Sequence, residues 1–175
     1  DLKDALRFVQ DKDGLPVRVI SLGANLLIPD EDFKGITIWL KGNGSSFAVS
    51  GTTVSAFAGE EFNDLIAYSF EHNLIGLEWA GGLPSSVGGA VRGNAGCFGS
   101  EIKNNVLSVQ AIDLKDPDLK LRTYSNDESQ FGYRESFFKH HPDLVIVSAV
   151  FQLKKATNEE LVDARIAYDS HIAYR

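Results

Sequence analysis

Residues 81–99 read GGLPSSVGGAVRGNAGCFG, with glycine at positions 81, 82, 88, 89, 93, 96 and 99. Glycine admits positive φ and lets another backbone or a ligand come close, so a run this dense defines a surface by backbone rather than by side chains. Successive amides in such a turn can form a nest for phosphate oxygens, with hydroxyl donors added by Ser85 and Ser86. The competing reading is tight turns and close packing, and for a run taken alone that reading is the stronger. The stretch carries no Walker lysine and lacks the strand, glycine turn and helix spacing of a dinucleotide fold. Phosphate-hydrolysing and Rossmann readings therefore both fail.

Upstream, Leu2, Ala5, Leu6 and Val9 recur at helical spacing, and Gly14 with Pro16 stops that helix. Val17 to Ile20 predicts a short buried strand running into the turn Ser21-Leu22-Gly23-Ala24-Asn25, with the apolar Leu26-Leu27-Ile28 as its return. Ile36 to Leu40, Ser46 to Ser50 and Thr52 to Ala58 predict sheet strands. From Glu60 the period changes: Phe62, Leu65, Ile66 and Phe70 share one helical face, with Glu60 and Glu61 in the first turn. Beyond the glycines, Leu107 to Leu114 and Leu119 to Tyr124 predict a hairpin about Lys115-Asp116-Pro117-Asp118. Ser136 to His140 predicts a short helix or turn, and Leu144 to Leu153 a buried strand. Asn158 to Arg175 opens with a capping residue and the acidic pair Glu159 and Glu160, and predicts an exit helix. The fold class is mixed α+β, without internal repeats.

Composition narrows the functional classes. At 175 residues with 43% hydrophobic content, the chain can bury a substantial core as one domain or two small subdomains. Its net charge of -7 leaves no basic surface for nucleic acid or an anionic membrane. The single cysteine, Cys97, excludes an internal disulfide, and no cysteines and histidines stand at zinc-site spacing, so no metal is expected and a reducing cytoplasm fits. No apolar run approaches the length of a bilayer span. The chain opens on Asp1 and contains no methionine, and it is read as an excerpt of a longer protein.

Three segments together carry a resemblance. Residues 81–99, including Asn94-Ala95-Gly96, are similar to the flavin-contacting segment of the UDP-N-acetylenolpyruvoylglucosamine reductase family. Val19 to Ile28, VISLGANLLI, resembles its pyrophosphate loop, and Phe131 to Lys139, FGYRESFFK, resembles its catalytic-arginine segment. The segments stand in the family's order, and the similarity runs from the first residue to Leu153. The resemblance implies noncovalent FAD between two α+β subdomains of the p-cresol methylhydroxylase/vanillyl-alcohol oxidase type, at residues 1–74 and 75–153. Residues 154–175 would lead toward a third domain that this chain lacks. Pyrophosphate contacts are implied from the backbone of Leu22, Gly23, Ala24, Asn25 and Leu26. Contacts along the rest of the cofactor are implied from Gly82, Pro84, Ser85, Val87, Gly88, Asn94 and Gly96. In the first turn, Ser21, Leu22 and Ala24 depart from the glycine and serine common in relatives, and for Asn25 a side chain that only satisfies its own turn is an equal alternative.

The resemblance also implies an activity: reduction by NADPH of UDP-N-acetylglucosamine enolpyruvate to UDP-N-acetylmuramate, in peptidoglycan precursor synthesis, by a cytoplasmic, monomeric flavoprotein. Arg134 is the catalytic candidate. A guanidinium is always charged, and its forked donors match a carboxylate. The family completes its site with a serine proton donor and a late glutamate from the third domain. Neither motif follows Leu153, so this chain alone is expected to be inactive. A flavin-binding or interaction module without turnover, and an FAD-linked oxidase on the same scaffold, remain alternatives. Cys97 reads as a small packing residue. His140 and His141 read as solvated, and His72 and His171 as helix-end residues. Tyr133 is either a border of the site or a buried structural tyrosine.

Overall fold

In the computed structural model, which describes residues 2–12 and 14–175, the first elements are α1 (Leu2–Gln10), β1 (Val17–Ile20), β2 (Ile36–Trp39), β3 (Phe47–Ser50), β4 (Thr53–Phe57), α2 (Phe62–Glu71) and β5 (Leu74–Ile75). The glycine-rich stretch contains α3 (Val87–Arg92) and β6 (Gly96–Cys97), and β7 (Ser100–Glu101), β8 (Val106–Asp113) and β9 (Leu121–Ser125) follow. The chain then runs through β10 (Leu144–Gln152), β11 (Lys154–Lys155) and α4 (Asn158–Tyr174). The α+β class is thus borne out, and no helix among the described residues is long and apolar enough to cross a membrane.

Strand β10 centres the main sheet, whose order is β3-β4-β10-β8-β9, with every pairing antiparallel. Its sequence LVIVSAVFQ is rich in β-branched residues, and Val145, Ile146, Ala149 and Phe151 are all buried. Helix α2 packs on this sheet through the face its period predicts, burying Phe62, Leu65, Ile66 and Phe70, with the Phe62 ring edge-on to Phe151 at 5.8 Å. Each such side chain taken out of water stabilises the fold by about 1.5–3 kcal/mol, which is why a ten-residue helix holds here without a side-chain N-cap.

One sequence expectation changes. Strand β1 does not return through Leu26-Leu27-Ile28: Leu27 is fully exposed, and β1 pairs in parallel with β2, Val17 opposite Ile36 and Ile20 opposite Trp39. The apolar triplet has no period-two face to bury, and Pro29 after it has no N–H for a ladder. Strand β4 pairs with β10 from Thr53–Gln152 to Phe57–Ser148, so β3 and β4 share the larger sheet with β8, β9 and β10, while β1–β2, β5–β11 and β6–β7 form separate two-stranded pairs.

Helix α4 starts one residue earlier than read, with Thr157 as N-cap. The Thr157 side chain accepts from Glu160 N, and the Glu160 carboxylate accepts from Thr157 N at 2.8 Å, closing a capping box. Lys154, by hydrogen bonding, is the first cause that pulls the Glu160 carboxyl down to about 2. The expected exit helix packs back on the chain. A Cβ added to Gly81 would stand 2.6 Å from Tyr168 O, so glycine at 81 permits this contact.

Candidate functional site

The first glycine turn sits where β1 ends. Ser21 Oγ donates to Leu40 O at 2.7 Å and Leu26 N to Gly23 O at 3.2 Å, while Gly23 adopts φ 73°. Between these two anchors the amides of Leu22, Gly23, Ala24 and Asn25 have no protein acceptor among the described residues, and all four residues are exposed. Adjacent uncommitted N–H groups in one tight turn form a cradle of partial positive charge that suits phosphate oxygens. Of the five residues read as pyrophosphate contacts, only Leu26 has its amide engaged within the turn.

A cleft of about 230 Å³ joins Leu22 and Trp39 to the loop 42–44 and to Glu60. Sequence reading placed Glu60 in the first turn of α2, but the helix begins at Phe62, and the Glu60 carboxylate turns to that loop. Its Oε2 accepts from Gly44 N at 2.8 Å and its Oε1 from Ser46 N at 3.0 Å, with the residue 1% exposed. Burial acts to raise its pKa, but the amides of Gly44, Ser46 and Asn43 outweigh burial and hold the carboxyl below its usual range. An acidic residue before an amphipathic run looks the same whether it faces a helix dipole or a distant loop, so no local signal marked this role.

The second glycine stretch is built differently from the open nest expected of it. Gly82 N donates to Asn63 Oδ1 at 2.9 Å, Val87 N to Glu60 O and Gly88 N to Ala58 O at 2.8 Å each, and Gly89 N to Ser86 Oγ at 3.2 Å. These amides are spent inside the protein, and the glycines serve close approach to its own backbone. A Cβ on Gly88 would lie 2.8 Å from Ala58 Cβ, and one on Gly96 would lie 2.8 Å from Ser100 O. The short helix α3 escaped the sequence reading because glycines at 88 and 89 count against helix; packing of Val87, Ala90 and Val91, together with the Ser86 cap, overrides that propensity.

The cofactor candidates of this stretch therefore divide. Val87 is fully buried and Gly88 is packed on Ala58, just past β4. Ser85 Oγ donates to Ser86 O. Gly82, at φ 71°, and the exposed Pro84 border a cleft of about 580 Å³ together with Cys97, Phe98, Tyr174 and Arg175. The last three were not singled out in the sequence. Arg175 Nε donates to Gly81 O and its Nη2 to Cys97 Sγ, both at 2.8 Å, and the Phe98 ring stacks on His171 at 4.0 Å. Cys97 Sγ donates to Trp79 O at 3.2 Å, as suits a packed thiol. No cluster of three or more potential metal ligands occurs among the described residues.

Arg134 tops a tight hairpin in which Gly132 N donates to Glu135 O at 3.0 Å and Glu135 N to Gly132 O at 3.1 Å. Its Nη2 donates to Gly96 O at 2.8 Å, which brings the third motif against the second. No carboxylate neutralises the guanidinium among the described residues. The neighbouring Glu135 is bound instead to Lys139 Nζ, with His140 Nε2 also 2.7 Å away, and Lys139 is the first cause that holds its carboxyl below the usual range. Tyr133 is 87% exposed, so the buried structural reading of this residue falls away.

Comparison with known proteins follows the same lines. The profile of a family described as "FAD binding domain" matches residues 1–119. The chain is 39% identical over 151 residues to the UDP-N-acetylenolpyruvoylglucosamine reductase of Fervidobacterium nodosum, covering 86% of this chain and 47% of that protein. The crystal structure of UDP-N-acetylenolpyruvylglucosamine reductase from Thermus caldophilus matches with a TM-score of 0.78 at 27% identity, over 97% of this chain and 60% of that one. A cholesterol oxidase from Brevibacterium sterolicum matches with a TM-score of 0.60 at 15% identity, over 88% of this chain and 32% of that one, which speaks to fold alone. The chain spans about half the length of the curated relatives it matches.

Proposed function

The chain belongs to the family described as FAD binding domain, and on that premise we propose that it is the FAD-holding portion of a UDP-N-acetylenolpyruvoylglucosamine reductase acting in peptidoglycan precursor synthesis. The uncommitted amides of Leu22 to Asn25 take the pyrophosphate, and Gly82 and Pro84 border the remainder of a noncovalently held cofactor. When bound, FAD supplies hydride transfer from NADPH to the enolpyruvyl double bond of UDP-N-acetylglucosamine enolpyruvate. Arg134 binds the carboxylate of that substrate and stabilises the negative charge that develops toward it; no carboxylate pairs with its guanidinium among the described residues. The protein works in the cytoplasm as a monomer. The observation that supports this reading most is the contact of Arg134 Nη2 with Gly96 O, which joins motifs far apart in sequence at one place.

Two measurements test the proposal. The purified chain mixed with FAD should acquire a flavin absorbance spectrum that denaturation releases in full. A chain that takes up no FAD removes the reading, and colour that stays with the denatured polypeptide removes noncovalent binding. In the intact reductase, Arg134→Lys keeps the charge but loses the fork, so flavin reduction by NADPH should persist while transfer to the enolpyruvyl substrate slows by about a hundredfold. Stopped-flow absorbance separates the two steps, and wild-type flavin reoxidation in that variant would strip Arg134 of its role.

A further inference from the structure

We propose that Asn94 is a positioning residue for Arg134: its carboxamide fastens the Tyr133–Arg134 turn to the glycine-rich segment and so sets where the guanidinium lies. The inference rests on the reading of Arg134 given above, and it gives the Asn94 side chain a role other than the cofactor contact expected of this residue. Asn94 is 1% exposed and stands at φ 41°. Its Nδ2 donates to Glu101 Oε2 and to Gly132 O, both at 2.7 Å, and its Oδ1 accepts from Lys103 N at 3.0 Å. A carboxamide carries two N–H donors, and here both are used by the protein, leaving none for a ligand.

The recipient of one of them matters most. Gly132 O also accepts from Glu135 N, so the carbonyl at the base of the hairpin takes two donors, one of them from Asn94. Two residues further on, Arg134 reaches back to Gly96 O. Two tethers of opposite direction therefore link residues 94–96 with residues 132–134. They act on a backbone that needs them, because Arg134 sits at φ 57°, in the left-handed region, where a side-chain-bearing residue is disfavoured. Lys139 Nζ donates to Arg134 O at 2.8 Å and Ser136 Oγ to Arg92 O at 2.6 Å, bracing the same turn. Glu101 is oriented in turn by Lys103 Nζ, 2.7 Å from its Oε1, which leaves Oε2 facing Asn94.

The test is Asn94→Asp, which preserves shape, tolerance of positive φ and the acceptor for Lys103 N, but sets an acceptor against Glu101 Oε2 and Gly132 O. In the 175-residue chain, amide hydrogen exchange at Gly132 and Glu135 should quicken by about ten- to a hundredfold, while β8 and β10 amides keep their rates and the FAD Kd stays within about twofold. Asn94→Asp combined with Glu101→Gln, which returns a donor to the pair, should recover part of the protection. In the intact reductase, Asn94→Asp should slow transfer to the enolpyruvyl substrate but not flavin reduction, and should add little in an Arg134→Lys background. A tenfold weaker FAD affinity with unchanged turn exchange would overturn the proposal in favour of a cofactor contact. Loss of protection throughout β8 and β10 would overturn it in favour of general packing. Wild-type transfer by Arg134→Lys would refute the role of Arg134 itself, yet the exchange result at Gly132 and Glu135 would still decide whether the tether exists.

Discussion

Replacing Glu60 by glutamine changes almost nothing in shape and much in hydrogen bonding. The two carboxylate oxygens each receive one amide, from Gly44 and from Ser46, and Gly42 lies so close that a Cβ there would run into the carboxylate. Glutamine offers a single oxygen, so one amide would face an NH2 group, donor against donor. A hydrogen bond to a charged group contributes about 1.5–3 kcal/mol, and the loop 43–46 is exposed enough to let water take the orphaned N–H, so we expect a loss near the lower end, about 2 kcal/mol. With a urea dependence of about 2 kcal/mol per molar, the unfolding midpoint should fall by about 1 M. The pH dependence has a definite sign. The amides hold the folded-state pKa of Glu60 below its unfolded value, so its stabilisation is complete above the unfolded pKa and is lost as pH falls through the folded pKa. The advantage of the wild type over Glu60→Gln should therefore be full at neutral pH and shrink steadily on acidification below about pH 4. Urea titrations of both proteins along that range decide it. Equal midpoints at neutral pH, or a gap that persists undiminished in acid, would refute the assignment.

The two glycine turns should respond to substitution for opposite reasons. Gly88→Val forces side-chain atoms into Ala58, which a Cβ alone would approach to 2.8 Å, and should lower stability by about 1–3 kcal/mol in thermal unfolding even without FAD. Undiminished stability with lost flavin affinity would show instead that this glycine admits the ligand. Gly23→Ala meets no neighbour within 4 Å but must hold φ 73°, so it should cost about 1 kcal/mol and weaken FAD binding by distorting the turn. Gly23→Asn, which tolerates that conformation better, should restore most of both, and flavin titration of the pair checks it.

Local pattern carried most of the elements, because their signals lie within a few residues of one another. The buried face of α2, the β10 run and the hairpin of β8 and β9 about residues 115–118 all stand close to where periodicity and turn residues put them. The same holds for the three segments that resemble a flavin reductase, since each is a contiguous string, and the match to an FAD binding domain over residues 1–119 takes in the first two. Strand partners were not legible in this way: β1 chose β2 in parallel over the adjacent triplet, and β4 chose β10.

What the chain's own order of residues determined, then, is its repertoire: which stretches are helix or strand, and where glycine frees the backbone. Only the tertiary structure decided where each polar group finds its partner. The amides of Leu22 to Asn25 find no protein acceptor among the described residues, while those of Val87 and Gly88 are consumed by Glu60 O and Ala58 O. Likewise Glu60 anchors a loop and Asn94 grips Gly132, 38 residues away. The physical reason is that propensity and periodicity report short-range sterics and burial, whereas the fate of a donor depends on which acceptor the packed core brings beside it.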